Sequence, residues 1–295
     1  MAALLYEMVW VRLLVNFLGS STYAFSIMLA AFISGITIGS FIVTKKFVKK
    51  FNRIKLLIFC QTAIATGIFF SLVIYERLPY YFWKIASWFE KSDTTFNIFL
   101  SAEFLICFCL MFAPTIFMGM TLPTVVDIVA QSNKKIGLSV GRVFSVNTIG
   151  TVVGVFLTTL VLIPLLGIKD TFEFGIGLNL LIAFVLLQNY DPIGFAYKTS
   201  ISVTFIILFL IYIMFSPVWN LNIMNSGVFR SFSAPPPDSF SEFENLYISK
   251  KVLYYKEGIN ANVAVIQADS MGQKTLIING KADATNKVDM ATQVM

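Results

Sequence analysis

STYAFSIMLAAFISGITIGSFIV, residues 21–43, decides the fold. The stretch holds no charged side chain and exceeds the ~20 apolar residues that a helix needs to cross the hydrocarbon core of a bilayer. No polar face is left along it, so in water such a helix would expose apolar surface on every side. Gly35 and Gly39 stand at the small-xxx-small spacing that lets a second membrane helix come close. The alternative is a helix that its glycines leave weakly packed.

Outward from this span the chain repeats the pattern. Lys45, Lys46, Lys49, Lys50, Arg53 and Lys55 crowd the loop that follows, and such a cluster holds its side of the membrane in the cytoplasm. Residues 56–74, 96–122, 144–166, 172–187 and 200–215 predict five further spans, with Gly150 and Gly154 repeating the small-residue spacing. Pro123 with Lys134, Lys135 and Arg142 predicts a second cytoplasmic turn. Residues 75–95 predict an outer loop whose Tyr80, Tyr81, Trp83 and Trp88 rest at the membrane interface. The first 18 residues are too short and too charged for a span, and lack the basic-then-apolar layout of a cleaved signal. Counted from the basic loop inside, five crossings bring the tail outside.

Composition agrees. With 57% hydrophobic and 13% charged residues and a mean hydropathy of +0.78, the chain is a polytopic membrane protein, not a water-soluble globule. The net charge of +6 does not point to nucleic acid, because the tail from Asp238 carries six lysines against seven acids. The basic excess therefore sits in the membrane half, where cytoplasmic loops account for it. Histidine is absent, which excludes His-based triads, His metal ligands and imidazole relays. Cys60, Cys107 and Cys109 lie in apolar runs and read as buried thiols, since Cys-x-Cys on a helix points its sulfurs apart.

The tail, residues 251–295, is the one sizeable polar segment: KVLYYKEGINANVAVIQADSMGQKTLIINGKADATNKVDMATQVM. Val263 and Val265, then Leu276 and Ile278 after a turn signal at residues 270–273, keep the period-two spacing of a hairpin with one packed face. Asn279-Gly280 supplies the pair most tolerant of positive φ, the strongest short hairpin-turn cue. Two or three hairpins alone cannot offset the backbone entropy of ordering them, roughly 1–2 kcal/mol per residue. The tail is therefore expected to need a partner layer from outside this sequence. Three successive prolines, Pro235 to Pro237, predict an extended connector over residues 232–244. The expected class is a mainly α-helical polytopic membrane bundle of about seven helices followed by a small β-hairpin domain. Its parts are residues 1–216 in the membrane, 217–245 as connector and 246–295 as the β domain.

These motifs carry a resemblance. The run Val263-Ala264-Val265, Asp269-Ser270-Met271-Gly272, Leu276-Ile277-Ile278-Asn279-Gly280 and residues 289–295 resembles the N-terminal β domain of polyamine aminopropyltransferases, the spermidine synthase family. Without gaps, Gly280 falls on the family's glycine, Asp283 on its Gln, Asp289 on its Glu, Thr292 on its Tyr, Gln293 on its His and Met295 on its Met. The frame is kept while most polar residues around the family's nucleoside and amine are exchanged. The Asn-Gly-Lys run and the Asp-Ala pair are more similar to the membrane-fused spermidine synthase-like subfamily. So are Leu5-Tyr6-Glu7, Trp10, Arg12, residues 19–26, Met118 to Pro123, Gly141-Arg142 and Asn147 to Gly150 in the membrane half.

The resemblance implies a membrane-anchored transferase of polyamine biosynthesis in the inner or plasma membrane of a bacterium. It implies decarboxylated S-adenosylmethionine as the donor, held by a Rossmann-like half expected beyond Met295, and a first helix whose earlier residues are expected before Met1. Asp283, Asp289, Thr292 and Gln293 would then form one wall of the substrate cleft, with ordinary hairpin polarity as the alternative. Taken alone the chain is expected to be inactive, with no catalytic residue, cofactor or metal site of its own. The expected partners are the lipid bilayer and the Rossmann-like half, with a homo-oligomer left open. Glu7, Arg12, Glu103 and Asp127 lie in or beside apolar spans, where a charge is costly unless paired. Glu103, the deepest, points to a second class of function. The bundle would handle a cationic solute such as a polyamine, and the soluble part would act as sensor or scaffold.

Overall fold

The segment expected to be too short for a span lies at the heart of the bundle. In the computed structural model the described residues are 1–19, 21–45, 48, 50–88, 93–132, 136–189, 198–199, 203, 210, 212, 214, 216, 218–230, 235–268 and 272–287. Helix α1 (Ala2–Leu18) buries Leu5, Tyr6, Val9, Trp10, Leu13, Leu14 and Phe17, each at most 1% exposed. Those positions recur with a helical period and form one wide apolar face. Two aromatic polar tips on that face find partners inside the protein. Asn179 Nδ2 donates to the Tyr6 hydroxyl at 2.7 Å, and Trp10 Nε1 donates to the Tyr75 hydroxyl at 2.5 Å. Burial without solvation is thereby avoided for both groups.

Around α1 stand α2 (Thr22–Thr44), α3 (Arg53–Tyr75), α5 (Asp93–Ser132), α6 (Ile136–Leu157) and α7 (Ile168–Gln188), with the short α4 (Leu78–Ala86) after α3. Past Leu157, α6 runs on through a π-helical turn (Thr158–Leu162) and a last α turn (Ile163–Leu166). Five stretches are long and apolar enough to cross a membrane among the described residues: α2, α3, Ser101–Gln131 of α5, Ile136–Leu166, and α7. The chain is thus an integral membrane helical protein with a small sheet after the helices, as its hydropathy predicts. The span expected over residues 200–215 lies largely outside the described residues. Ser21 caps α2 by accepting from the Ala24 N–H at 3.0 Å, and Asn52 caps α3 through the N–H groups of Ile54 and Lys55.

The small-residue spacing marks the tightest helix crossing. A Cβ on Gly39 would sit 1.9 Å from the Ile116 carbonyl oxygen, and one on Gly119 would sit 2.2 Å from that of Ile36. Backbone meets backbone there, so α2 and α5 are closely packed rather than loosened by glycine.

Several local expectations are corrected. Pro123 does not end its helix: α5 continues through Pro114 and Pro123 to Ser132. A proline lacks the N–H that would bond the carbonyl four residues back. The two carbonyls so freed, Leu110 and Gly119, accept from Ser71 at 3.4 Å and from Ser40 at 2.9 Å on the neighbouring helices. Neighbours that re-satisfy freed backbone groups let proline persist within a span. The loop after α3 contains α4, whose Tyr80 and Trp83 are buried against Phe243 and Tyr247, while Tyr81 and Trp88 stay exposed as expected of interface aromatics. Cys60 and Cys107 are buried, but Cys109 is exposed on the surface of α5.

The connector is not extended throughout. It forms a short helix α8 (Leu221–Met224), a 3-10 turn (Val228–Arg230) and α9 (Phe240–Ile248), which runs across the expected boundary at residue 245. Ser239 caps α9 through the Glu242 N–H at 3.2 Å, while the Glu242 carboxylate accepts from the Asp238 N–H at 3.0 Å.

Four strands follow as an antiparallel meander in sequence order: β1 (Lys250–Glu257), β2 (Asn262–Ala268), β3 (Gln273–Ile278) and β4 (Lys281–Thr285). The β2–β3 hairpin pairs Val263 with Ile278 and Val265 with Leu276. Asn279 and Gly280 both take positive φ, 50° and 76°, and join β3 to β4. The packed face is the opposite one to that expected. Ala264 and Ile277 are 1% and 6% exposed, whereas Val263, Val265, Leu276 and Ile278 are only half-buried. The connector's Ser226, Gly227 and Arg230 lie on that side of the sheet, with Ile266, Ala268 and Ile277.

At one end the sheet packs on the chain itself. The Asn279-Gly280 turn meets Asn16 of α1 and Gly227 of the connector. The connector in turn is tied to the end of α3: Trp219 Nε1 donates to the Leu72 carbonyl at 3.0 Å and the Asn220 N–H to the Glu76 carboxylate at 2.9 Å. The sheet therefore sits at the end of the bundle opposite to the Arg53 start of α3 and its basic loop.

Candidate functional site

Strand β1 ends above the sharp turn between α6 and α7. Gly167, at φ 91°, makes that turn and caps α7. The first N–H groups of a helix have no partner within it and carry a partial positive charge. Glu257 answers this: one carboxylate oxygen accepts from the Ile168 N–H and the other from the Tyr255 hydroxyl. Tyr255 and Glu257 are two apart on a strand and so project on one side of the sheet. Burial is the main influence on Glu257 and pushes its carboxyl above the usual carboxylate range. The Tyr255 and Ile168 bonds and the Arg12 guanidinium pull it back down, while Asp170 adds to the rise. Burial, and next the Glu257 charge, push the Tyr255 phenol up as well.

Beside this carboxylate lies a cavity of about 350 Å³ lined by Leu13, Asn16, Lys169, Trp219, Tyr255 and Glu257 among others. Its one cation among the described residues is already paired. Lys169 Nζ lies 2.6 Å from Glu173 Oε1 and donates to Ser216 Oγ at 3.1 Å. Each Glu257 oxygen already accepts one hydrogen bond, from the start of α7 or from Tyr255 of its own strand. This arrangement suits a joint between sheet and bundle better than a reaction centre.

A second contact completes the joint. Asn262 Nδ2 donates to Asn16 Oδ1 at 3.3 Å, and a Cβ on Gly280 would meet the Asn16 carbonyl oxygen at 2.7 Å. At Gly227, φ 59°, a Cβ would sit 1.7 Å from the Gly280 oxygen. Only glycine allows two backbones so near, and only glycine takes that φ without strain.

Of the residues singled out in the sequence, Asp283 lies on β4 and pairs with Lys281 at 3.0 Å, both side chains partly exposed. Asp289, Thr292 and Gln293 lie outside the described residues. Glu103 is buried in α5 at 6% exposure, with no hydrogen bond or ion pair among the described residues. The four intramembrane charges do not form one site. Asp127 pairs with Arg53 at 3.1 Å near the basic loop, and Arg12 lies beside Glu257 at the other end. No group of three or more Cys, Asp or Glu side chains able to hold a metal ion occurs among the described residues. Glu257, Tyr255 and Asn16 were missed. The Tyr-x-Glu alternation at the end of β1 was the available signal for the first two.

Comparison of the chain with known protein families, with curated proteins and with solved structures returns no match.

Proposed function

We propose that the chain is the membrane platform of a spermidine synthase-like aminopropyltransferase. The bundle holds a β meander at the membrane surface, and the edge strand β4 is offered to a nucleoside-binding half. The observation that carries this reading is the meander itself, with Asn279-Gly280 at the β3–β4 turn and Asp283 on the edge strand beyond it. These are the positions at which the resemblance puts the family's glycine turn and the first polar residue after it. The donor would be decarboxylated S-adenosylmethionine and the acceptor an amine. Because the Glu257 carboxylate serves as a tie between strand and helix, the proton acceptor for the attacking amine is assigned to the nucleoside-binding half.

The test is transfer of a labelled aminopropyl group to putrescine by membranes of the native source, compared with membranes from a strain deleted for the protein. Both right-side-out and inverted vesicles are assayed. Transfer that disappears on deletion supports the reading; equal transfer in the two strains ends it. One observation favours a second reading, in which the bundle passes a cationic solute: Glu103 is buried in a span without a partner among the described residues. In that case Glu103→Gln lowers polyamine uptake by reconstituted vesicles at least tenfold, and unchanged uptake removes the transport reading.

A further inference from the structure

The face of the sheet that carries Ala264 and Ile277 is packed at one end only. Farther along, Ile266 opposite Thr275 and Ala268 opposite Gln273 continue the same face. There they line a crevice of about 280 Å³, roofed by Ser226, Gly227 and Arg230 of the connector and bordered by Lys250 of β1. Its chemistry is one-sided. Arg230 and Lys250 are cations, Gln273 offers an amide, Ser226 and Thr275 offer hydroxyls, and none of the described residues lining the crevice is an acid.

Neither cation has a carboxylate within ion-pair distance among the described residues. Lys250 instead holds its ammonium 4.6 Å from the Tyr247 ring, and burial lowers its pKa. A partly buried ammonium without a counter-charge is stabilised by an anion that enters beside it. The Ser226 hydroxyl is buried and has no hydrogen-bond partner among the described residues, a cost that a ligand oxygen would remove. A fork of guanidinium donors, an ammonium and two hydroxyls on one concave surface match a tetrahedral group with several acceptor oxygens. The isoleucines and alanines of the sheet leave an apolar floor beneath it.

We infer that this crevice between the sheet and the Ser226–Arg230 turn binds a phosphate group, free as inorganic phosphate or a small monoester, or carried as a lipid headgroup. Among the described residues the crevice shares no lining residue with the Glu257 cavity, and although Gly280 and Ala282 border it, its phosphate contacts come from Ser226, Arg230, Lys250 and Thr275, so it stands whether or not the chain serves aminopropyl transfer. The crevice runs from the Gly280 turn, where the sheet meets the bundle, out to Lys250 and Gln273 at the far end of the sheet.

The experiment uses the full chain purified in a maltoside detergent free of phosphate. One arm titrates inorganic phosphate by calorimetry at fixed ionic strength, with chloride as control; the other measures retention of phosphatidic acid against diacylglycerol by native mass spectrometry. Saturable binding in either arm is expected, and which arm binds identifies the source. Lys250→Gln and Arg230→Gln should each weaken that binding at least tenfold and Ser226→Ala severalfold. Lys250→Arg, which keeps the charge, should retain most of it, so a loss of fold is distinguished from a loss of site. Absence of saturable binding in both arms, or binding unchanged by Lys250→Gln and Arg230→Gln, overturns the inference.

Discussion

Glu257 ties an aqueous strand to a membrane helix, and its titration sets how firmly. Its carboxyl is pushed above the ordinary value of 4.5, chiefly by burial, so the docked form binds the proton more tightly than a detached form would. The sign follows from linkage: docking is strongest below the ordinary value and weakens as pH rises through the raised one. The protection of the β1 amides, after correction for intrinsic base-catalysed exchange, should therefore fall as pH rises above the ordinary carboxylate value, and Glu257→Gln should flatten that dependence. Glu257→Ala leaves the Ile168 N–H and the Tyr255 hydroxyl without their acceptor and should cost about 1–3 kcal/mol in docking, measured by the same exchange. At Gly227 a methyl group has nowhere to go, so Gly227→Ala should release the sheet to limited proteolysis while leaving the bundle's helical signal intact. At this scale the sequence was uneven. Asn279-Gly280 announced its turn because backbone chirality restricts who can stand there. The phase of β2 and β3 was misread because valine at 263 and 265 outweighs alanine at 264 in any hydrophobicity count, and nothing local says which face a backbone will approach.

Hydropathy located α2, α3 and α7 to within a few residues, because a span must be apolar for a length that the bilayer dictates. It cut α5 short at Pro123, since the serines that rescue the helix lie far away in the chain. Ser40 reaches the Gly119 carbonyl across 79 residues of sequence. That partnership makes a sharp prediction. Ser40→Ala should lower the stability of the bundle in detergent by about 0.5–1.5 kcal/mol. In a Pro123→Ala background, where the restored N–H takes the same carbonyl, the loss should fall close to zero. Equal costs in the two backgrounds would show that the serine acts by packing instead. The short helices α4 and α9 were overlooked for a different reason: each buries one face against the other, and neither is apolar enough alone to stand out. The Ser239-x-x-Glu242 cap was nonetheless visible ahead of α9.

For the molecule as a whole, the basic loop and the sheet occupy opposite ends of the bundle. If the lysines keep their side in the cytoplasm, the sheet faces outward. Lys274→Cys, on the exposed side of β3, should then react with a membrane-impermeant maleimide in intact cells, whereas labelling only after lysis would place the sheet in the cytosol. The class of the protein was legible from composition alone. The seat of the sheet was not, because it depends on Asn16, Gly227 and Gly280 meeting across most of the chain. Burial of α1 has a consequence for biogenesis. It leads the other helices in sequence, yet the amide that satisfies Tyr6 arrives 173 residues later. A nascent α1 must therefore be sheltered, by the insertion machinery or by transient neighbours, until α7 has been delivered. Slowed synthesis between the two should leave the early segment exposed to quality-control proteases.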